Sequence, residues 1–204
     1  MMNQEQGKFV AVEGIDKSGK GTLIENLREN YLIEDDWVYT KEPSDGWYGR
    51  KVRESLSDDN KPTPADFYLF LADRYQHLED VIKPALNEGK NVLCDRYHLS
   101  TVAYQSRVID EQMEVIDPIK YIDEMTGHFV IEPDLTLYID IPVETAIDRL
   151  SNDKIEKYEK RSKLKEAKRI YDYSADNNEN IIRLDGERPE KALAHKANTV
   201  INEN

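Results

Sequence analysis

The stretch "VEGIDKSGKGT", Val12 to Thr22, decides how the rest of the chain is read. An apolar run, "KFVAVEG", leads into it, and a helix is expected from Lys20. Strand, glycine-rich turn and helix in that order form the context of a phosphate-binding loop. Gly14 and Gly19 let the backbone turn its N–H groups inward, and Lys20 is placed to meet the outer phosphates of a nucleotide. Gly14, Ser18, Gly19, Lys20, Gly21 and Thr22 are therefore expected around a bound phosphate chain. One position departs from the common pattern. The residue after Lys20, where a Ser or Thr usually ligates Mg²⁺, is Gly21, which excludes direct hydroxyl ligation from there.

Outward from the loop, strand and helix patterns alternate. "WVYT", "NVLCD", "DLTLYIDI" and "NIIRLDG" read as further strands. Pro64 to Asn87 reads as one long amphipathic helix, and "LSTVAYQ", "VETAIDRL", "KEAKRIYDYSAD" and "RPEKALAHKANTVI" as others. This alternation predicts an α/β fold, a five-stranded parallel sheet flanked by helices on both faces. Ligands of such sheets collect beyond the carboxyl ends of the strands, so candidate residues are sought there.

Composition narrows the function classes. The 204 residues suit one domain, with no linker, internal repeat or membrane-spanning apolar run. A net charge of −13 argues against extended contact with nucleic acid or anionic membrane. The acidic surface reads as an aid to solubility or as adaptation to a salty cytoplasm, and the 28 basic residues favour the first. A single cysteine, Cys94, in an apolar run fits a core residue in a reducing, cytoplasmic setting. The four histidines lack metal-like spacing, and Trp37 and Trp47 are assigned to packing.

Two further places carry chemistry. Asp95-Arg96 ends the "NVLCD" strand; beside the loop, Asp95 could serve Mg²⁺ and its water while Arg96 grips an anion, the alternative being a structural surface pair. In the long helix the apolar stripe is interrupted by Arg74, which shares a face with Phe70 at i,i+4. Such a pair can stack on a base and donate to its carbonyl; alternatively Phe70 is core and Arg74 meets a buried carboxylate.

"DRYHLSTVAYQ", together with the loop and "EPDLTLYIDIPVETAIDRL", resembles thymidylate kinase of the P-loop nucleoside monophosphate kinase superfamily. The resemblance runs from about Phe9 to Leu184 and is weakest between Arg107 and Glu132. It implies phosphorylation of dTMP to dTDP with ATP and Mg²⁺, in a cytoplasmic homodimer. By the same resemblance Phe70 lies on the thymine ring and Arg74 on its O4. Thr101 and Gln105 complete the base pocket, and Tyr104 lies near the sugar. Asp16 meets the acceptor's 3′-hydroxyl and the metal's water, Arg96 and Arg53 hold the 5′-phosphate, and Arg149 lies against the donor adenine. "GKGT" also resembles adenylate kinases, which implies a metal held through water and carboxylates, here Asp95 and Asp16.

Departures from the family pattern leave some roles open. "EPSDGW" stands where Gly-Gly-Thr often follows "EP", which blurs the register of Arg53 and leaves Arg50 as a substitute. The segment "SNDKIEKYEKR", about residues 151–161, resembles a lid with Lys for Arg. Lys17 in the loop and Arg161 are expected to share the role of catalytic cation, with Lys154, Lys157 and Lys160 nearby; a solvated helix face is the alternative. "EP…W" also resembles deoxynucleoside kinases, in which Glu42 would be a base toward a 5′-hydroxyl. A nucleotide-binding relative without phosphoryl transfer is the third reading.

Overall fold

The computed structural model describes residues 6–32, 36–57, 63–150 and 161–204. The apolar runs pair as β1 (Phe9–Glu13), β2 (Trp37–Lys41), β3 (Asn91–Asp95), β4 (Leu135–Asp140) and β5 (Ile181–Asp185). All neighbours are parallel, in the order β2-β3-β1-β4-β5. Every residue of β1 is buried, as expected of a parallel strand covered on both faces. Alternation divides its side chains. Val10 and Val12 pack with Leu23 and Leu27 of α1 (Lys20–Asn30) and with Ala197 and Val200 of α9 (Glu190–Glu203). Phe9 and Ala11 pack on the other face with Leu78, Ile82 and Ala85. Helices thus cover both faces, as the alternating pattern predicts.

The long helix begins at Thr63, whose capping box with Asp66 satisfies two terminal N–H groups. It runs as α3 (Pro64–His77), passes through a π-helical turn at Leu78–Ile82, and continues as α4 (Lys83–Asn87). Pro84 explains the interruption. A proline has no N–H to donate and its ring crowds the carbonyl four residues back, and the wider turn accommodates both. Two helices have no counterpart in the sequence reading: α2 (Trp47–Ser57) and α6 (Pro118–Thr126). Trp47, assigned to packing from sequence, is half-exposed at the start of α2, its ring edge-on to Tyr48. Trp37 does pack against the core.

The sheet order reverses around β1, which opens a crevice at the carboxyl ends of β1, β3 and β4. Val12 pairs directly with Asp95, so the ends of β1 and β3 lie side by side. The remaining helices, α5 (His98–Met113), α7 (Val143–Leu150) and α8 (Arg161–Asn177), start beyond these ends or pack beside them. Among the described residues no helix is long and apolar enough to cross a membrane.

Candidate active site

Backbone conformation builds the loop. Gly14 has φ 148°, Lys17 φ 61° and Gly19 φ 102°. Gly14 is required sterically as well, because a Cβ there would stand 2.7 Å from the carbonyl of Ile139 and 2.8 Å from Ser18 Oγ. Gly19 precedes α1 and no side chain caps that helix, so its first N–H groups face a cavity of about 690 Å³. Lys20 is buried and folds back to donate to the carbonyls of Gly14 and Ile15, both at 3.1 Å. Burial, reinforced by the neighbouring Arg96 charge, pushes its ammonium down to about 8. Arg149, in the last turn of α7, donates to the Lys17 carbonyl at 2.8 Å and lies over the loop.

Arg96 and Asp16 join the loop to the next strand. Arg96 adopts φ 68°, a left-handed conformation that side chains avoid unless the surroundings enforce it. From there its guanidinium reaches back over β1, donating to the Gly14 carbonyl at 3.0 Å, to Ser100 Oγ at 3.1 Å and to Asp16. Burial opposes the charged form, and Asp16, Tyr104, Tyr171 and Asp95 together outweigh it, holding Arg96 well above its ordinary range. The other oxygen of Asp16 accepts from Tyr104 at 3.0 Å, and the Tyr104 hydroxyl accepts the Asp16 N–H at 3.1 Å. Asp16 and Arg96 line the larger cavity and also a second one, of about 170 Å³.

The second cavity lies between α3 and α5. Phe70, Arg74, Thr101, Tyr104 and Gln105 line it, with Pro43 and Leu56. The structure brings these residues to one cavity, and Arg74 there is heavily engaged with protein partners. Its Nε and Nη2 donate to Glu42 Oε2 at 3.0 and 2.6 Å, and Nη2 also to Thr101 Oγ1 at 2.9 Å. Its guanidinium lies over the Tyr97 ring, 5.0 Å from the centroid. Arg74 therefore meets the buried carboxylate of the second reading, and it also lines the pocket. Burial would raise the Glu42 carboxyl, but Arg74 and His77 outweigh it and hold the group below its ordinary range. Glu42 is therefore a locked counter-ion, a poor match to a base poised to take a proton.

Several expected residues stand elsewhere. Arg53 donates to the carbonyls of Pro43 and Ser44 at 2.8 and 2.6 Å, bracing the loop after β2, and lines neither cavity. Arg50 holds the Asp45 carbonyl at 2.8 Å. Arg161 pairs with Glu144 on α7 at 2.5 Å, is exposed, and lines neither cavity. Lys154, Lys157 and Lys160, with the rest of the expected lid, lie outside the described residues.

Hard-oxygen chemistry at the loop fits Mg²⁺. Asp95 Oδ1 and Ser18 Oγ are buried without a hydrogen-bond partner among the described residues. A Cβ on Gly21 would have nothing within 4 Å, so the missing hydroxyl leaves space. Asp95 suits the metal better than Asp16, both of whose oxygens are taken by Arg96 and Tyr104.

Residues that the sequence reading passed over complete the frame. Glu13, fully buried at the end of β1, accepts the N–H groups of Tyr97 and Ser100 at 2.8 and 3.0 Å and so caps α5. Asp73 on α3 accepts the Ser44 N–H at 2.8 Å and its hydroxyl at 2.5 Å. A carboxylate ending an apolar strand was a visible signal for Glu13. Nothing local marked Asp73.

Comparisons of sequence and of structure with known proteins point to one family. A family model described as thymidylate kinase matches residues 12–197. The thymidylate kinase of Brachyspira hyodysenteriae is 31% identical over 204 residues, covering 97% of this chain and 95% of that one. The thymidylate kinase of Desulfotalea psychrophila is 38% identical over 176 residues, covering 83% of each. A solved thymidylate kinase structure from Candida albicans shares the fold, with a TM-score of 0.81 at 23% identity over 98% of this chain and 92% of that one. With a family model reaching from Val12 in β1 to Ala197 in α9, and relatives above 30% identity over most of both lengths, the chain belongs to the thymidylate kinase family.

Proposed function

We propose that the protein transfers the γ-phosphoryl group of ATP to dTMP, giving dTDP and ADP. One observation carries the reading within the family: a large cavity at the phosphate loop and a smaller one at Phe70 and Arg74 share Asp16 and Arg96 as walls. A donor in the first and a monophosphate in the second would meet there. The acceptor is already an anion, so no general base is needed, and the work lies in alignment and charge neutralisation.

In this reading Lys20 and the loop N–H groups of Gly14 to Thr22 hold the donor phosphates, and Arg149 takes the adenine. Arg96 holds the acceptor's phosphate while Asp16 keeps Arg96 in place and faces the 3′-hydroxyl. Phe70 stacks on the base, Arg74 gives a remaining N–H to its O4, Thr101 and Gln105 close the pocket, and Tyr104 lies along the sugar. Asp95 would hold Mg²⁺, which offsets charge on the transferring phosphoryl when bound. Lys17 in the loop, and Arg161 once released from Glu144, supply further positive charge. Arg53 supports the acceptor side through the loop it braces. The chain is one P-loop kinase domain over 1–204, with the lid at about 151–161. Family resemblance suggests a homodimer, and a nucleotide-consuming enzyme with one buried thiol suits the cytoplasm.

A coupled ADP-release assay with ATP and Mg²⁺ tests the assignment, with dTMP, thymidine, dUMP, dCMP and AMP offered separately. Turnover on dTMP and none on thymidine is the expected result. Turnover on thymidine would return Glu42 to the role of base, and tight nucleotide binding without turnover on any acceptor would favour a non-catalytic relative.

Lys20 gives a second test. Its ammonium titrates at about 8 in the free protein, and a phosphate chain beside it would restore a higher value. At pH 9 the free lysine is mostly neutral, so binding of a non-hydrolysable ATP analogue takes up a large part of one proton. Calorimetry in two buffers of different ionisation enthalpy reads this directly. Equal enthalpies in both buffers at pH 9 would remove Lys20 from the donor site.

A further inference from the structure

Tyr171 is fully buried on α8 and lines neither cavity, yet its hydroxyl lies one residue away from the Arg96 guanidinium. It donates to Glu13 Oε2 at 3.0 Å and stands 2.8 Å from Ser100 Oγ. Ser100 Oγ donates to the same carboxylate oxygen at 2.5 Å and accepts from Arg96 Nη1 at 3.1 Å. A serine hydroxyl has one proton. With that proton on Glu13, the lone pairs of Ser100 are left for Arg96, and the Tyr171 hydroxyl, donating to the same carboxylate oxygen, holds Glu13 in place under Ser100. Glu13 carries four donors in all, counting the Tyr97 and Ser100 amides. Burial pushes the Glu13 carboxyl up, and the Ser100 hydroxyl, the Arg96 charge and the two amides oppose that shift without cancelling it.

The tyrosine ring is held independently of its hydroxyl. It stacks on Tyr138 with centroids 5.3 Å apart and planes 14° from parallel. Tyr138 in turn donates to Asp172, the next residue of α8, at 3.0 Å. Losing the hydroxyl alone would therefore leave the helix docked and loosen only the hydrogen-bonded side.

We propose that Tyr171 is a positioning residue for the acceptor: through Ser100 and Glu13 its hydroxyl sets the Arg96 guanidinium, and so ties helix α8 to the grip on the acceptor's phosphate. The proposal rests on the dTMP reading above, because it takes Arg96 as the phosphate-holding group. The same helix begins at Arg161, so α8 spans from Glu144 on α7 to the residues that support Arg96.

Steady-state kinetics of Tyr171→Phe test it, with Arg96→Lys and the double variant completing a cycle. Tyr171→Phe is expected to raise the KM for dTMP about tenfold, as loss of a hydrogen bond in a charged network does, with the KM for ATP within about twofold. In the Arg96→Lys background, where the bidentate fork is already lost, Tyr171→Phe should add little. Tyr173→Phe, on the exposed side of α8, serves as a control with unchanged KM. An unchanged KM for dTMP in Tyr171→Phe, or an equal rise in both backgrounds, would overturn the proposal. So would a parallel rise in both KM values together with a lower melting temperature, the mark of a purely structural role. A wild type with no dTMP turnover would instead overturn the functional reading together with this one.

Discussion

Replacing Lys20 with methionine is expected to lower dTMP turnover by about a thousandfold and at the same time to raise the melting temperature. The first effect follows from its place in the proposed donor site, where a preorganised cation in a water-poor cleft opposes charge on the transferring group. The second follows from its burial. The ammonium titrates at about 8 in the folded protein against an ordinary 10.5, so the folded state resists its charge. The sign is that of a cation with a depressed value. At pH 7 the penalty is present in full, about 3 kcal/mol as an upper figure, and it is relieved as pH rises from about 8 toward 10.5. Methionine of similar length removes the charge but leaves the Gly14 and Ile15 carbonyls without a donor, at a cost of about 1–2 kcal/mol. The balance is a gain of about 1–2 kcal/mol, or roughly 2–8 °C for a chain of this size. Above about pH 10.5 the wild-type lysine is neutral and still donates to both carbonyls, so the order should reverse and the variant become the less stable by about 1–2 kcal/mol. Thermal melts at pH 7 and pH 10.5 check it. A variant less stable than wild type at pH 7 would mean that the carbonyl contacts outweigh the buried charge.

This opposition between stability and function recurs around the loop. Lys17 and Arg96 both sit at positive φ, a conformation that costs a side-chain-bearing residue free energy and persists because the surrounding hydrogen bonds over-determine it. For Arg96 those bonds are explicit: its N–H donates to the Val12 carbonyl at 2.9 Å while its side chain crosses to Gly14, Asp16 and Ser100. The strained backbone turns the guanidinium toward the loop, at the place where the two cavities meet.

What could be read in the sequence follows the range of the interactions. The runs FVAVE, NVLCD and LTLYID are continuous and apolar because both faces are covered, and each is a strand. The phosphate loop is legible because its chemistry is local: two glycines, a lysine and the helix that follows. Helix α2 offered only a short stripe, Tyr48, Val52 and Leu56 at four-residue spacing, and of its eleven residues only Gly49 and Val52 are buried. Helix α6 did carry a signal. Asp117 caps it by accepting the Lys120 N–H at 3.0 Å, and Pro118 opens its first turn. The polar partners were beyond reach for a different reason. Arg74 meets Glu42 across 32 positions and Tyr171 meets Glu13 across 158, so no spacing rule connects them. An arginine on an apolar stripe announces a buried partner without naming it.

That unnamed partner underlies the second large effect. Arg74→Met is expected to destabilise the protein by about 3–5 kcal/mol, because it leaves Glu42, whose side chain is 4% exposed, as a buried charge without its main counter-ion. His77 Nδ1 still faces Oε1 at 3.2 Å and softens the loss without replacing two charged N–H donors on Oε2. For a chain of this length the melting temperature should fall by roughly 6–20 °C. Adding Glu42→Gln removes the stranded charge and keeps a polar group beside His77, so the double variant should regain most of the lost stability. Activity should separate from stability at this point. Both variants are expected to lose at least about a hundredfold in kcat/KM for dTMP, since the proposed donor to the base carbonyl is absent from each. Melting curves and dTMP kinetics on the single and double variants distinguish the two roles of Arg74. A single variant as stable as wild type would mean that Glu42 does not depend on it. A double variant that regained dTMP turnover would show that Arg74 only neutralises Glu42 and never touches the acceptor.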